Sequence, residues 1–171
     1  MKITLIYPAV GRKEGKSYVR AWQMQPLSIA VLASLMPADV EMVFYDDRME
    51  PIPFDEQTDL VVISVETFTA LRSYAIAREF RQRGVPVVMG GYHVTLIPEE
   101  VQEHADAIVV GDAEPVWPQV LADARGRRLQ AVYDGRGRRD LRNVRPLRAI
   151  FGGRSYQNIT LVEYARWCNI K

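Results

Sequence analysis

The residues best suited to chemistry fall in four clusters, each directly after a short apolar run. Pro8-Ala9-Val10-Gly11 follows Ile3 to Tyr7. Ser64 closes the run that begins at Leu60 and leads into Val65-Glu66-Thr67. Gly90-Gly91-Tyr92-His93 follows Val85 to Met89, and Gly111-Asp112-Ala113-Glu114 follows Ala107 to Val110. The chemistry these types support is binding. Ser64 and Thr67 offer hydroxyls that donate and accept. Gly90 and Gly91 leave backbone amides bare, so a large, flat or elongated ligand can come close. On this reading a large side chain at Gly91 blocks the ligand and spares the fold. One small residue at the end of a strand is an ordinary turn former; three along one edge favour a site.

Other site classes lack their residues. A dinucleotide fold wants G-x-G-x-x-G after the first strand. Here Gly11 and Gly15 stand in a long loop reaching Gln25, although Asp46 ends the second apolar run where a ribose-binding acid would sit. A phosphate-binding P-loop is absent. A phosphorelay receiver needs an acidic pair, an aspartate and a lysine where this chain has Pro8, Ser64 and Gly111. The only histidines are His93 and His104, without C-x-x-C or H-E-x-x-H, which argues against an internal metal site. Cys168 is the only cysteine and excludes an internal disulfide framework.

The elements that must position these clusters are legible from hydrophobic pattern. Five short Val- and Ile-rich runs (3–7, 40–45, 60–64, 85–89 and 107–110) are apolar without alternation, as parallel strands covered on both faces are. Helices are predicted between them. Pro26 opens the apolar stretch Leu27 to Leu35, and Pro37 stops it. From Thr69 to Arg83, Ala70, Tyr74, Ala77 and Phe80 share a face, and Gly84 caps the end. Pro98 opens a helix with Glu99 and Glu100 in its first turn, and Pro115 opens the last. Repeated strand–helix alternation predicts an α/β fold, a doubly wound five-stranded parallel sheet in flavodoxin-like order 2-1-3-4-5. Ligands then bind beyond the carboxyl ends of the strands, where the four clusters lie.

The 171 residues carry a net charge of +1, which conceals an asymmetry. Residues 1–124 hold 10 Lys/Arg against 18 Asp/Glu; residues 125–171 hold 12 against 3. The break predicts a boundary near Gly126, with a basic C-terminal tail containing a short strand (Leu129 to Tyr133), a Gly/Arg region and a last strand candidate (Ile159 to Tyr164). No nucleic-acid motif accompanies the arginines, so a solvated linker is expected rather than a nucleic-acid partner. No apolar run reaches the roughly 20 residues of a membrane helix and the N-terminus does not read as a signal peptide, so no membrane partner and a cytoplasmic location are expected.

Ser64 and Gly90-Gly91, with 25 residues between them, resemble the serine and di-glycine elements of cobalamin-binding domains. The segments Pro26-Leu27-Ser28-Ile29-Ala30-Val31-Leu32-Ala33, Asp59 to Ser64, Val88 to His93, Pro98-Glu99-Glu100 and Gly111 to Glu114 resemble the cobalamin-binding domain that precedes a radical SAM barrel. The likeness covers roughly residues 1–135. It implies cobalamin as cofactor, with the serine meeting its nucleotide tail and the glycines making room. The implied cofactor-binding set is Pro8, Ala9, Val10, Gly11, Ser64, Val65, Glu66, Thr67, Gly90, Gly91, Tyr92, His93, Gly111, Asp112 and Glu114. The D-x-H-x-x-G element of many cobalamin domains is missing after the first strand. Cobalamin is therefore expected with its base off cobalt and no protein histidine in its place.

The C-terminus, Ile159 to Lys171, resembles the first strand of a radical SAM barrel. Arg166-Trp167-Cys168 stands where the first cysteine of C-x-x-x-C-x-x-C begins, although the family usually has glycine at the position of Trp167. The resemblance implies Cys168 as first ligand of a four-iron four-sulfur cluster that, with S-adenosylmethionine, belongs to the full-length protein. The chain is then expected to be a fragment cut where that domain begins. Its parts would be a cobalamin domain at 1–124, a linker at 125–158 and the barrel start at 159–171, with the missing radical SAM domain as partner. With one cysteine, the fragment alone is expected to be inactive, while its parent would carry out methyl transfer, cyclisation or rearrangement. The alternatives are the same domain as a cobalamin-free scaffold, or a flavodoxin-like regulatory or small-ligand domain.

Overall fold

A computed structural model of the chain describes residues 1–10, 23–137 and 144–162. Among these residues six strands form one sheet: β1 (Lys2–Tyr7), β2 (Glu41–Asp46), β3 (Leu60–Ser64), β4 (Val87–Gly90), β5 (Ala107–Gly111) and β6 (Val132–Gly135). Their order is β2-β1-β3-β4-β5-β6, and every neighbouring pair is parallel. The expected order 2-1-3-4-5 is present with a sixth strand on its open edge, so the sheet has six strands, not five. β6 escapes a search for apolar runs because it has four residues, contains Asp134 and Gly135, and buries only alternate positions.

Helices cover both faces, as right-handed crossovers between parallel strands require. The helices α1 (Leu27–Ser34) and α5 (Trp117–Arg125) pack on one face, against Ile3, Leu5, Leu60, Val62, Val88 and Val109. The other face, built on Ile6, Val61, Ile63, Met89 and Ile108, is covered by α2 (Ala70–Gln82) and α4 (Pro98–Gln102). A short helix, α3 (Tyr92–Leu96), begins immediately after Gly91 and buries His93 and Val94. Local sequence explains most boundaries. Pro26 occupies the cap of α1, and Ile29 to Ala33 are all buried, which fits a helix apolar all round. Ala70, Tyr74, Ala77 and Phe80 form the buried stripe of α2, and Gly84 follows it in the left-handed region at φ +75°. Pro98 stands in the first turn of α4, with Glu99 and Glu100 beside it at the positive end of the dipole.

Beyond α5 the chain stays on the sheet. β6 pairs with β5 from Ile108–Val132 to Gly111–Gly135, and Tyr133 enters the core. Its hydroxyl donates to the carboxylate of buried Asp123 on α5, which also accepts from Gln119 and Gln130. A 3-10 turn (Arg148–Phe151) buries Phe151 edge-on to Phe44, with ring centroids 5.6 Å apart. The strap around this turn ties to α1 and its approach: the Leu147 amide donates to the Ala30 carbonyl, Arg148 to Gln25, and the Gln157 amide to the Gln23 carbonyl. Tyr156 donates to Asp46, and Arg154 reaches Glu50 and the Phe44 carbonyl. Residues 159–162 carry no strand, and Tyr164 and Cys168 lie outside the described residues. No helix of the described residues is long and apolar enough to cross a membrane.

Candidate functional site

Parallel register brings the carboxyl ends of β3, β4 and β5 side by side. Ser64 pairs with Gly90, and the Val65 amide bonds to the Gly90 carbonyl at 2.7 Å. Below this edge a slot of about 770 Å³ opens between α1 and α5. Its floor is the sheet: Val62, Ser64, Val88, Gly90 and Val109. One wall is α1, through Leu27, Ser28, Val31 and Leu32, and the other is Trp117 with the 112–114 loop. Tyr92, Thr95, Gly111 and Arg136 stand at the mouth.

The slot is apolar in depth and polar at its rim. Ser64 is buried, and its Oγ lies 2.9 Å from Oγ of Ser28 on α1. The pair sits at the upper end of strand and helix alike, and each hydroxyl keeps hydrogen-bonding capacity beyond the other. Two residues lower on the strands, Val62 and Val88 present only hydrocarbon. Trp117 is 1% exposed, and its indole N–H is directed to Met36 Sδ at 3.4 Å.

The glycines of this edge differ in what they do. Gly91 has φ +110°, and a Cβ there would lie 2.8 Å from the Val65 carbonyl oxygen. A side chain at Gly91 therefore collides with backbone before it reaches any ligand, which corrects the expectation that bulk there spares the fold. Gly111 (φ +82°) and Gly135 are likewise dictated by chain crossings, against Arg136 and Asp112. Gly90 is the exception. Its φ is unexceptional, and a Cβ would meet only Val109, its Cβ at 3.6 Å and its carbonyl oxygen at 3.8 Å, both ordinary contacts. Neither backbone nor neighbours demand glycine there; a longer side chain would extend into the slot.

Thr95, one turn along α3, fastens this edge. Its hydroxyl donates to the Gly91 carbonyl at 3.1 Å and accepts from the Gly111 amide at 2.9 Å. Neither Ser28 nor Thr95 is recognisable as a site residue from sequence alone, because a serine or threonine on a helix reads as surface until the partner strands are placed.

The other expected residues divide. Ser64, Gly90, Gly91, Tyr92, Gly111, Asp112 and Glu114 all line the slot. Val65 is fully buried on the opposite face, and Thr67 begins a 3-10 turn leading into α2. Glu66 is part-buried at the carboxyl end of β3, where burial raises its carboxyl pKa; its charge adds to the burial that raises the Tyr7 hydroxyl. Pro8, Ala9 and Val10 continue from β1, the Ala9 amide donating to Asp47, while Gly11 lies outside the described residues. His93 turns away from the slot: its ring is buried, with Nε2 3.1 Å from the Tyr74 hydroxyl, and the second histidine, His104, stacks on the same Tyr74 at 3.9 Å. Asp46, placed where a ribose-binding acid would sit, is fully buried and held by Arg48 and Tyr156. Among the described residues no group of three His, Cys, Asp or Glu side chains is arranged to hold a metal.

An open parallel sheet with a slot running down from its carboxyl edge between two helices defines a class of small-ligand-binding α/β domain. The chain belongs to the B12-binding domain family, whose model matches residues 19–121. It is similar to the bacteriochlorophyllide d C-8(2)-methyltransferase of Chlorobaculum tepidum, with 38% identity over 122 residues, covering 71% of this chain and 27% of that protein. The bacteriochlorophyllide d C-12(1)-methyltransferase of the same organism is 27% identical over 123 residues, again covering 71% and 27%. An uncharacterized methyltransferase of Pyrococcus horikoshii is 29% identical over 150 residues, covering 77% of this chain and 31% of its own. The chain thus spans less than a third of the length of these relatives.

Proposed function

We propose that this chain is a cobalamin-binding module that serves a methyl-transferring radical SAM enzyme. The observation that carries the reading is the slot between α1 and α5, with Ser64 and Gly90 in its floor. Its shape suits an elongated limb that is apolar in its deep part and bears a few polar groups near the mouth, as the nucleotide tail of cobalamin does. The Ser28–Ser64 pair would supply hydrogen bonds to that tail, Gly90 would make room for it, and Tyr92, Asp112, Glu114 and Arg136, which also line the slot, would border the corrin. Bound cobalamin supplies a cobalt centre that carries a methyl group or exchanges electrons. The residues of this chain hold it, orient it and exclude water from its tail.

Cobalamin held here would be base-off, with no histidine of this chain on its cobalt. Both histidines of the sequence sit against Tyr74 on the face opposite the slot, and residues 11–22 contain none. The radical SAM partner, its S-adenosylmethionine and its cluster with Cys168 as first ligand belong to the same proposal. It is supported by the resemblance of residues 159–171 and by the methyltransferase names of the relatives. We place the end of the cobalamin module after the strap, near residue 157, because β6 and Phe151 complete the sheet and core.

Titration with hydroxocobalamin, followed by absorbance, tests the reading. We expect one-to-one binding with the spectrum of a base-off corrinoid, unchanged in His93→Ala. Failure to bind would favour a cobalamin-free scaffold, and a spectrum that changes in His93→Ala would overturn the absence of a histidine ligand.

A further inference from the structure

We infer that the slot selects among cobamides by their lower base, accepting an apolar benzimidazole and rejecting a purine. The inference rests on the cobalamin reading and adds the chemical class of ligand that the slot favours. Cobamides share one corrin and differ in the base at the end of the nucleotide tail. A benzimidazole base, once off cobalt, presents a single ring nitrogen that accepts a hydrogen bond. A purine such as adenine presents several ring nitrogens around its edge and an exocyclic amine.

The layer of the slot on the sheet floor matches the first and not the second. Tyr92, Asp112, Glu114 and Arg136 line the slot from α3 and from the segments after β5 and β6, whereas on the floor and the α1 wall the hydroxyls are Ser28 and Ser64, which already bond to each other at 2.9 Å; this leaves one donor for an acceptor on the ligand. Thr95 is committed at both its donor and acceptor sides, to the Gly91 carbonyl and the Gly111 amide. The Trp117 indole N–H is directed at Met36. Below the serine pair the lining is hydrocarbon: Val62 and Val88 on the floor, with Leu32 on α1. Backbone groups of this floor are spent in the β3–β4 ladder, where Val62 pairs with Val88 and Ser64 with Gly90. A purine edge carried into this layer would lose water and gain no partner, and buried polar groups without partners are disfavoured far more than satisfied ones are favoured. Alkyl groups on a benzimidazole would meet the valines with ordinary dispersion contacts.

The test compares three probes on the 171-residue chain: hydroxocobalamin, whose base is dimethylbenzimidazole; the otherwise identical cobamide carrying adenine; and cobinamide, which lacks the nucleotide tail. Affinities are read from absorbance or tryptophan quenching. We expect the adenine cobamide to bind at least tenfold more weakly than cobalamin, close to cobinamide. Val88→Thr, which places a hydroxyl in the deep layer at nearly constant volume, should narrow that gap while circular dichroism confirms the fold. Equal affinity for the two complete cobamides, with cobinamide weaker, would overturn the selectivity and leave the cobalamin reading standing. Absence of binding by all three, or cobinamide as tight as cobalamin, would overturn the reading of the slot itself. A gap unchanged in a folded Val88→Thr protein would show that the deep layer does not set the preference.

Discussion

The hydroxyl of Ser28, on the first turn of α1, lies 2.9 Å from the hydroxyl of Ser64, at the last position of β3. The contact joins the α1 wall to the sheet floor, so it sets a polar pair at the upper end of the slot. Only Ser64 is marked by the sequence; Ser28 joins it because α1 starts at Leu27 and turns this residue toward the strand ends.

Replacing either serine by alanine should weaken cobalamin binding without unfolding the chain. Ser28 is exposed and its loss costs little stability. A single neutral hydrogen bond contributes about 0.5–1.5 kcal/mol net, so each variant should lose roughly two- to thirteenfold in affinity. The double variant should fall short of the product of the two, because the partners share one interaction. Isothermal calorimetry on the four proteins measures this; full additivity would separate the two hydroxyls in function.

Gly90 and Gly91 should respond in opposite ways to added bulk. Gly90→Leu extends into the slot from an ordinary backbone position and should abolish cobalamin binding while thermal unfolding shifts by a few degrees at most. Gly91→Ala must adopt φ +110° and press on the Val65 carbonyl. It should destabilise the chain by about 1–3 kcal/mol, the range for a strained backbone position. Denaturant unfolding beside a cobalamin titration distinguishes them. Binding that survives Gly90→Leu would move the ligand out of the slot.

Stability should fall in acid through Asp123. This carboxylate accepts from Gln119, Gln130, Tyr133 and Arg128, and the Gln119 hydrogen bond leads the effects that hold its pKa at about 2. A group whose pKa is lower in the folded state contributes stability above its unfolded value, about 3.9, and loses it as pH falls toward the folded value. The contribution is therefore intact at neutral pH and decays between about pH 5 and 2. Asp123→Asn should be less stable at pH 7 and show a shallower decline through that window in thermal melts. Parallel declines in both proteins would assign the acid sensitivity elsewhere.

Much of the fold is legible from hydrophobic pattern because parallel strands buried on both faces are short runs of Val and Ile. β1, β3 and β5 are found this way, and the order 2-1-3-4-5 comes from choosing the flavodoxin-like arrangement for five such strands. β6 is not, since an edge strand with Asp134 and Gly135 buries a single side chain, Tyr133. The strap is equally hidden. Its arginines look like a solvated linker, yet Phe151 and Tyr156 fix it to Phe44 and Asp46 across more than a hundred residues of sequence. At the site, small residues at strand ends point to the right edge. What sequence does not separate is the reason for each glycine, because Gly90 faces a void and Gly91 faces backbone, and only the positions of Val65 and Val109 tell them apart.

Gly135 carries this distinction to a residue that does not itself line the slot. A methyl group there would sit 1.8 Å from the carbonyl oxygen of Asp112, so the end of β6 passes the loop after β5 with no tolerance for any other residue. A saturation-mutagenesis survey scored by cofactor retention would rank position 135 with the ligand contacts, although its constraint is where two stretches of chain cross. Scoring the same library for protein abundance should split the two groups. Substitutions at Gly135 and Gly91 would deplete in both screens, and those at Gly90 in the cofactor screen alone.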